Sequence, residues 1–260
     1  MNRDKLLKKI DSFDSELISI RRHIHAHPEL SGLENQTAIL ISGYLKNIGW
    51  KVKESVGRTG VIADFGPQDK GCIGLRVDMD ALPIFEKTNL SFASKVDGVM
   101  HACGHDLHVC IGLGVAKIIK DLKLNFGTRI IFQPAEEIAS GAKWMIEDGA
   151  INGLTQILGV HVFPELSVGT VGIKEGSLTA AAGEIKVEII GKSGHGARPH
   201  EGIDAIWVAS KIVSGVQELI TRKLNPLDPT VLTFGKINGG NAFNVLAEKV
   251  DLLGTVRCTN

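Results

Sequence analysis

The sequence has no excess of charge of either sign, because 29 lysine and arginine residues balance 29 aspartate and glutamate residues. A nucleic-acid-binding protein usually carries a basic tract, and here the lysines form only short pairs, so we expect no nucleic-acid partner. No apolar run reaches the roughly 18 residues that a membrane-spanning helix needs, so we expect no membrane partner either. The N-terminus has the pattern of a charged amphipathic helix and no signal-peptide features, which predicts a cytoplasmic location.

Cysteine is also scarce, and the four cysteines show no spacing typical of a disulfide framework. In a cytoplasmic chain we expect reduced thiols. Cys103 stands out because it lies between two histidines in the stretch MHACGHDLH, residues 100–108. Three histidines, one cysteine and one aspartate within nine residues predict a metal site, a cysteine nucleophile site or a polar loop.

The length of 260 residues allows one large domain or a domain and a half, and the hydrophobic content of 43% is that of a globular protein. Four short apolar runs have the length of strands, and they span residues 60–65, 72–80, 128–137 and 156–163. Helical stretches at 107–122 and 141–148 separate the last three, which predicts a mainly parallel α/β sheet. Ligands bind outside the carboxyl ends of the strands in such sheets. Polar residues follow these ends, and they are Asp78, Asp80, Glu136, Glu137 and His161.

The pattern changes after Gly183. One alternating strand, an amphipathic helix over residues 202–223 and two further strands predict a small α+β domain. We therefore predict a first domain over residues 1–183 and a second, smaller domain over residues 184–260.

The polar groups at the strand ends favour a metal site, since cysteine, histidine and glutamate are common ligands of zinc. Cys103 and His105 are two residues apart, and Glu137 and His161 end two strands. A metal-assisted hydrolase needs a second carboxylate beside the one that holds the metal, because the second takes a proton from water. Glu136, next to Glu137, supplies that second carboxylate.

Each of these groups also has an ordinary structural interpretation. A glutamate pair at a strand end is usually solvated, a lone histidine is usually hydrogen-bonded, and a lone cysteine is usually a small buried residue. For the histidine-rich stretch at residues 23–29 we expect a structural or surface role. A Cys103–His105 nucleophile pair and a closed structural zinc site stay open as alternatives, although the first is close in sequence and the second usually has paired cysteines.

Seven stretches carry a further signal: RRHIHAHPELSGLE, GLRVDMDALPI, MHACGHDLH, FQPAEE, GVHVFPELSVGTV, GKSGHGARPHEGIDAI and GGNAFNVLAEKVDLLGTVR. With these stretches in this order across essentially its whole length, the chain resembles the M20 family of metallopeptidases and amidohydrolases. Within that family it is most similar to the subgroup of hippurate hydrolases, N-acyl-L-amino-acid amidohydrolases and auxin-conjugate hydrolases. The resemblance implies a zinc-peptidase-like catalytic domain, a smaller lid or dimerisation domain, and two divalent metal ions, such as zinc or manganese.

By motif position, the resemblance implies four metal ligands, which are Cys103, His105, Glu137 and His161. It implies that Glu136 is the general base and then the acid for the leaving amine. It implies that Asp80 lies behind the ligands, where it supports them without binding the metal itself. More distant relatives have a metal-binding histidine where Asp78 stands. Since Cys103 and His105 take over that role here, Asp78 is also expected behind the ligands.

In the second domain the resemblance assigns His195 to polarising the scissile carbonyl, often across a dimer. It assigns Asn244 and Arg257 to holding the substrate carboxylate. The implied reaction is metal-dependent hydrolysis of the amide bond of an N-acyl amino acid, which releases a carboxylic acid and an amino acid. The implied partners are that small-molecule substrate and a second copy of the chain, bound through the lid domain.

The sequence departs from the family pattern at its C-terminal end. The family's last metal ligand is a histidine near the C-terminus, whereas the last histidine here is His200 and the sequence stops at Asn260. We therefore expect a C-terminally truncated chain with two incomplete domains and one metal position that is weak or empty. Two alternatives to an amidohydrolase stay open: an inactive remnant that binds or dimerises, and a dipeptidase or carboxypeptidase of the same family.

Overall fold

A computed structural model describes residues 3–122 and 124–259 of the chain. Contacts divide the chain into two compact units, one that ends at Glu165 and one that begins at Leu166. The contacts group the exposed residues 166–180 with the second unit, whose first strand begins at Ala181, whereas the sequence predicts the domain boundary at residues 183/184. The change of sequence pattern therefore marks the sheet of the second unit and not the first residue of that unit.

The first unit consists of a mixed sheet with helices on both faces. Its helices are α1 (Arg3–Asp11), α2 (Asp14–Ala26), α3 (Asn35–Asn47), α4 (His105–Ile119) and α5 (Gly141–Glu147). Its strands are β1 (Lys51–Val56), β2 (Gly60–Phe65), β3 (Cys72–Asp78), β4 (Gly127–Gln133) and β5 (Leu154–Gly159). The helices expected near residues 107–122 and 141–148 correspond to α4 and α5, and the four expected strands correspond to β2 through β5.

The strand order in this sheet is β1-β2-β4-β3-β5. β3 pairs in parallel with both β4 and β5, so the predicted parallel α/β arrangement is confirmed for the strands that carry the polar residues. β1 has no counterpart among the expected strands. It forms a hairpin with β2, whose turn contains Gly57 and Arg58 at φ of 62° and 78°. A short turn of this kind joins antiparallel strands, and β2 also pairs antiparallel with β4.

Side chains of the central strands alternate between two hydrophobic cores. In β2, Val61 and Ala63 belong to a core with α2, α3 and α4, whereas Ile62 belongs to a core with α5. The fully buried Phe132 of β4 lies in the first core. Burying a side chain of this kind contributes about 1.5–3 kcal/mol. The sheet is thus the middle of three layers, which makes the ends of its strands a rigid rim.

The carboxyl ends of the three parallel strands lie side by side. β3 ends at Asp78, which pairs with Gln133 at the end of β4, and β5 ends at Gly159. The chain that leaves these strands carries the polar residues expected at the rim, which are Asp80, Glu136, Glu137 and His161.

The second unit is a three-stranded antiparallel sheet with one helix packed on it. Its elements are β6 (Ala181–Ile190), α6 (Ala205–Lys223), β7 (Thr230–Gly239) and β8 (Lys249–Cys258), with the strand order β6-β8-β7. This β-α-β-β succession confirms the predicted α+β unit. Asp204 caps α6, since its carboxylate accepts the backbone amides of Ile206 at 2.9 Å and Trp207 at 3.3 Å. Neither α6 nor any other helix within the described residues is long and apolar enough to cross a membrane.

Candidate metal centre

The loop before α4 brings Cys103 against His161. Gly104 has a φ of +86°, which favours glycine, and a Cβ atom there would lie 2.6 Å from a side-chain carbon of Val162. Without that atom the loop packs against the chain that leaves β5, and Cys103 Sγ lies 3.4 Å from His161 Nε2. Two predicted ligands that are 58 residues apart in the sequence are therefore neighbours.

His105 is fully buried in the first turn of α4, and its orientation is fixed. Its Nδ1 donates a hydrogen bond of 2.9 Å to the backbone carbonyl of Asp80, so in the neutral ring Nε2 carries the lone pair. This Nε2 lies 3.8 Å from Glu137 Oε1, and neither atom has a hydrogen-bond partner among the residues that the structure describes. Two buried polar atoms that face each other without hydrogen bonds are costly unless a cation lies between them.

Asp80 aligns both His105 and Glu137. Its Oδ2 accepts the hydroxyl of Ser31 at 2.6 Å and the backbone amide of Glu137 at 3.0 Å, while its Oδ1 lies 3.3 Å from His105 Nδ1. Burial alone would raise the pKa of Asp80, but its hydrogen bonds, first that of His105, lower the pKa to about 2. Burial would likewise lower the pKa of His105, but the hydrogen bond to Asp80 and the nearby carboxylates raise it.

The turn that carries Glu136 and Glu137 is strained. Ala135 and Ala139 have positive φ values of 50° and 52°, a conformation that costs a residue with a side chain about 1–2 kcal/mol. The turn persists because the amide of Ala135 donates to the buried carboxyl group of Glu34 at 2.8 Å. Burial raises the pKa of Glu137. Strain held in place by surrounding contacts is typical of functional sites.

Two overlapping groups of side chains have candidate ligand atoms within 4.8 Å of one another. The first group is Cys103, His105 and His161, and the second is His105, Glu136 and Glu137. His105 belongs to both groups, so the four predicted ligands and the predicted base form one continuous site. Sulfur, imidazole and carboxylate donors suit zinc and related divalent ions, so the residues present fit the metal that the resemblance implies.

The surroundings of Cys103 argue against a cysteine nucleophile. Burial, and next the nearby carboxylate of Glu137, raise the pKa of its thiol to about 12, whereas a nucleophilic cysteine needs a lowered pKa. The histidine that contacts Cys103 is His161 and not His105, whose Nδ1 is bound to Asp80. A thiol in this environment suits a cation, whose binding deprotonates it.

Asp78 and His108 form a buried pair behind the candidate ligands. Asp78 Oδ2 forms an ion pair of 2.7 Å with Arg76, and Asp78 Oδ1 accepts a hydrogen bond from His108 Nδ1. Together with His105, this pair forms a third group of atoms within 4.8 Å of one another. Asp78 is thus held by an ion pair with Arg76 and a hydrogen bond with His108, which fits its expected place behind the ligands. His108 was not among the predicted site residues, and its only sequence signal is its spacing of one helical turn from His105.

The histidine-rich stretch at residues 23–29 also lies behind the site. His25 Nδ1 is 2.8 Å from an oxygen of Asp106, and its Nε2 is 3.2 Å from an oxygen of Glu86. Arg21 donates to the same oxygen of Asp106 at 2.6 Å. The hydrogen bond to Asp106 raises the pKa of His25, although burial opposes the shift. These contacts fasten α2 to the start of α4, which fits the structural role expected for the stretch.

The three site residues predicted in the second unit are exposed, and the structure brings two of them together. The amide of Gly196, next to His195, donates to the carbonyl of Asn244 at 2.8 Å. Arg257 lies toward the other end of β8, where its guanidinium donates to the carbonyl of Val256. The intervening strand β8 has ten residues and therefore spans roughly 30 Å. The structure therefore does not place Arg257 beside Asn244 within the unit, and the roles of all three residues stay predictions.

Known proteins are similar to this chain in sequence and in fold. The family model for peptidase family M20/M25/M40 matches residues 74–259. A Synechocystis protein described as a "probable hydrolase" is 53% identical over 245 residues, which cover 93% of this chain and 62% of that protein. An N-acetyl-L-cysteine deacetylase of Bacillus subtilis is 46% identical over 251 residues, which cover 95% of this chain and 60% of that protein.

A solved structure adds evidence at the level of the fold. It is a Bacillus subtilis protein described as a dinuclear metal binding peptidase from the M20 family, which matches with a TM-score of 0.81 at 40% identity. The match covers 96% of this chain and 65% of that one. The chain thus spans less than two thirds of the length of each of these three relatives.

Proposed function

Because the chain belongs to the M20 family of peptidases, we propose that it carries the catalytic site of a metal-dependent hydrolase that cleaves the amide bond of N-acyl amino acids. The observation that carries this proposal is the pair of buried atoms His105 Nε2 and Glu137 Oε1, 3.8 Å apart and without hydrogen-bond partners among the described residues. Metal-assisted hydrolysis needs a cation at such a point and a free carboxylate beside it. Glu136 is that carboxylate.

The residues of the site have distinct roles in this proposal. Two divalent ions, zinc, manganese or similar, would be held by Cys103, His105, Glu137 and His161. A bound ion of this kind polarises the scissile carbonyl and makes water easier to deprotonate. Glu136 takes the proton from the attacking water and later gives it to the leaving amine. Asp80 keeps His105 and Glu137 in position through its hydrogen bonds.

The substrate class is supported by two observations. The relative from Bacillus subtilis that is 46% identical is described as an N-acetyl-L-cysteine deacetylase, and residues 101–106 have the cysteine-containing form of the metal motif, HACGHD. In this proposal His195 polarises the carbonyl, and Asn244 and Arg257 hold the substrate carboxylate. Since Asn244 and Arg257 lie toward opposite ends of β8, a homodimer built through the second unit would let two chains supply them to one substrate.

Metal content per chain tests the first half of the proposal. We expect roughly one or two divalent ions per folded chain after incubation with zinc or manganese. Cys103→Ala should lose most of this metal. Cys258→Ala removes a thiol of the second unit and is the matched control, which should keep the wild-type content. Folded wild-type protein that takes up no metal would contradict the proposal.

Amide hydrolysis tests the second half. An N-acetyl amino acid and a dipeptide that release the same amino acid are compared, and we expect faster hydrolysis of the N-acetyl compound. Glu136→Gln keeps the shape of the side chain but cannot accept the proton, so it should lower kcat by roughly 10²–10⁴ while the metal content stays unchanged. Faster hydrolysis of the dipeptide would identify a dipeptidase instead. Metal binding without hydrolysis of either compound would indicate an inactive, metal-binding remnant.

A further inference from the structure

His108 lies directly behind the candidate ligand His161. The two rings meet edge to face, with their centroids 4.7 Å apart at an angle of 74°. His108 also stacks on His105, with the centroids 5.4 Å apart. The side chain of His108 is fully buried in α4. Its function therefore has to follow from the partners of its two ring nitrogens.

These partners fix the tautomer of His108. The backbone amide of Val162 lies 2.9 Å from Nε2, and because an amide only donates, Nε2 carries the lone pair. Nδ1 therefore carries the hydrogen and donates it to Asp78 Oδ1. His108 has no lone pair left for a metal, although its ligand atom lies within 4.8 Å of those of Asp78 and His105.

Val162 transmits this restraint to His161. His161 Nδ1 donates to the carbonyl of Val162 at 2.7 Å, which leaves the lone pair on Nε2. That Nε2 lies 3.4 Å from Cys103 Sγ. Val162 thus holds the ring of His161 through its carbonyl and is itself held by His108 through its amide.

We propose that His108 is a positioning residue for the metal ligand His161, and that it acts through the amide of Val162. The inference rests on the proposed function in one respect, which is that His161 binds metal. A metal-binding histidine is usually oriented by a partner on its other nitrogen, and loss of such a partner typically lowers metal affinity 10–100-fold. His108 extends this support by one residue, because it orients the residue that orients the ligand.

Two variants separate this role from simple packing. In His108→Gln the side-chain oxygen reaches the position of Nε2 and still accepts the amide of Val162. In His108→Asn the shorter amide reaches only the position of Nδ1, so Asp78 keeps a donor and Val162 loses its acceptor. Titration of the apoprotein with Co²⁺ measures the affinity, and the absorption band from the Cys103 thiolate to Co²⁺ reports the geometry of the site. We expect about 10–100-fold weaker Co²⁺ binding in His108→Asn and near wild-type binding in His108→Gln.

A double-mutant cycle with His161→Ala tests whether the effect passes through His161. Once His161 is removed, His108→Asn should change Co²⁺ affinity by no more than about twofold. The proposal is overturned if the asparagine and glutamine variants weaken binding equally, if the loss persists in the His161→Ala background, or if wild-type protein binds no Co²⁺. If the four proteins of the cycle bind Co²⁺ as expected but the wild-type protein does not hydrolyse N-acetyl amino acids, the proposed function is rejected and this inference stays in place.

Discussion

Replacement of Glu34 by alanine should destabilise the first unit and disturb the turn after β4. The side chain of Glu34 is completely buried. Its Oε1 accepts the amides of Gly32 and Ala135, both at 2.8 Å, and its Oε2 accepts the hydroxyl of Thr59. One carboxyl group therefore ties together the start of α3, the β1–β2 turn and the end of β4.

The size of the effect follows from these three hydrogen bonds. A hydrogen bond to a charged group contributes about 1.5–3 kcal/mol, and a buried amide left without a partner costs about 1–3 kcal/mol. The hydrogen bond to the amide of Ala135 is buried, whereas the one to the amide of Gly32 is partly exposed. In the alanine variant, water can therefore bind the amide of Gly32 but not that of Ala135. We therefore expect Glu34→Ala to lower the unfolding free energy by about 3–5 kcal/mol. Glu34→Gln keeps an acceptor for both amides and a donor for Thr59, so it should lose only about 1 kcal/mol.

Urea unfolding of the metal-free protein measures these losses, with tryptophan fluorescence as the signal. Trp50 is 4% exposed in the core of the first unit, and a Trp207→Phe background removes the signal of the second unit. The exposed Glu147 is the control, since its replacement by alanine should change stability by less than about 0.5 kcal/mol. Equal stability of Glu34→Ala and Glu34→Gln would refute the reasoning, because it would show that these hydrogen bonds do not hold the turn.

Three further predictions concern pH, a helix cap and metal removal. The hydrogen bond to Asp106 raises the pKa of His25 above 6.5. The protonated His25 therefore stabilises the fold fully below pH 6.5, and this stabilisation is lost as the pH rises through the raised pKa. Between about pH 6 and pH 9, the unfolding free energy should therefore fall more for wild type than for His25→Gln, and parallel curves would speak against this. Asp204→Ala should destabilise the second unit by about 1 kcal/mol through loss of the α6 cap, and an unchanged urea midpoint in the Trp207 signal would show that the cap contributes nothing. Chelation should lower the unfolding free energy of the first unit by about 2.7 kcal/mol relative to protein held at 100 times the metal Kd; a loss in the second unit instead would place the metal elsewhere.

The location of the candidate site follows from local patterns in the sequence. The apolar runs at residues 72–80, 128–137 and 156–163 predict strands, and the helices between them predict parallel pairing. Parallel strands bring their carboxyl ends to one edge of a sheet whatever their order. The polar residues at those ends therefore had to meet there, as Asp80 and Glu137 do through the hydrogen bond between them.

The contacts that orient the site could not be predicted from spacing. His108 meets a partner 54 residues away in the sequence, and Glu34 meets one 101 residues away. Such pairs depend on how the layers pack, because a helical pattern shows which face is buried but not which atom lies opposite. Strand β1 was not predicted, for a related reason. Its sequence, KVKESV, belongs to a mostly exposed edge strand and has little of the apolar character that marks buried strands.

The histidines at the rim share one arrangement, and it determines what the site can bind. In His105, His108 and His161 the Nδ1 hydrogen is donated to an oxygen, which belongs to Asp80, Asp78 or Val162. Each ring therefore presents the lone pair of Nε2. For His108 a backbone amide occupies that lone pair, whereas the lone pairs of the other two rings lie beside a carboxylate and a thiol. Divalent cations accept nitrogen, sulfur and oxygen ligands, and the fixed tautomers leave the Nε2 lone pairs of His105 and His161 available to the proposed metal ions.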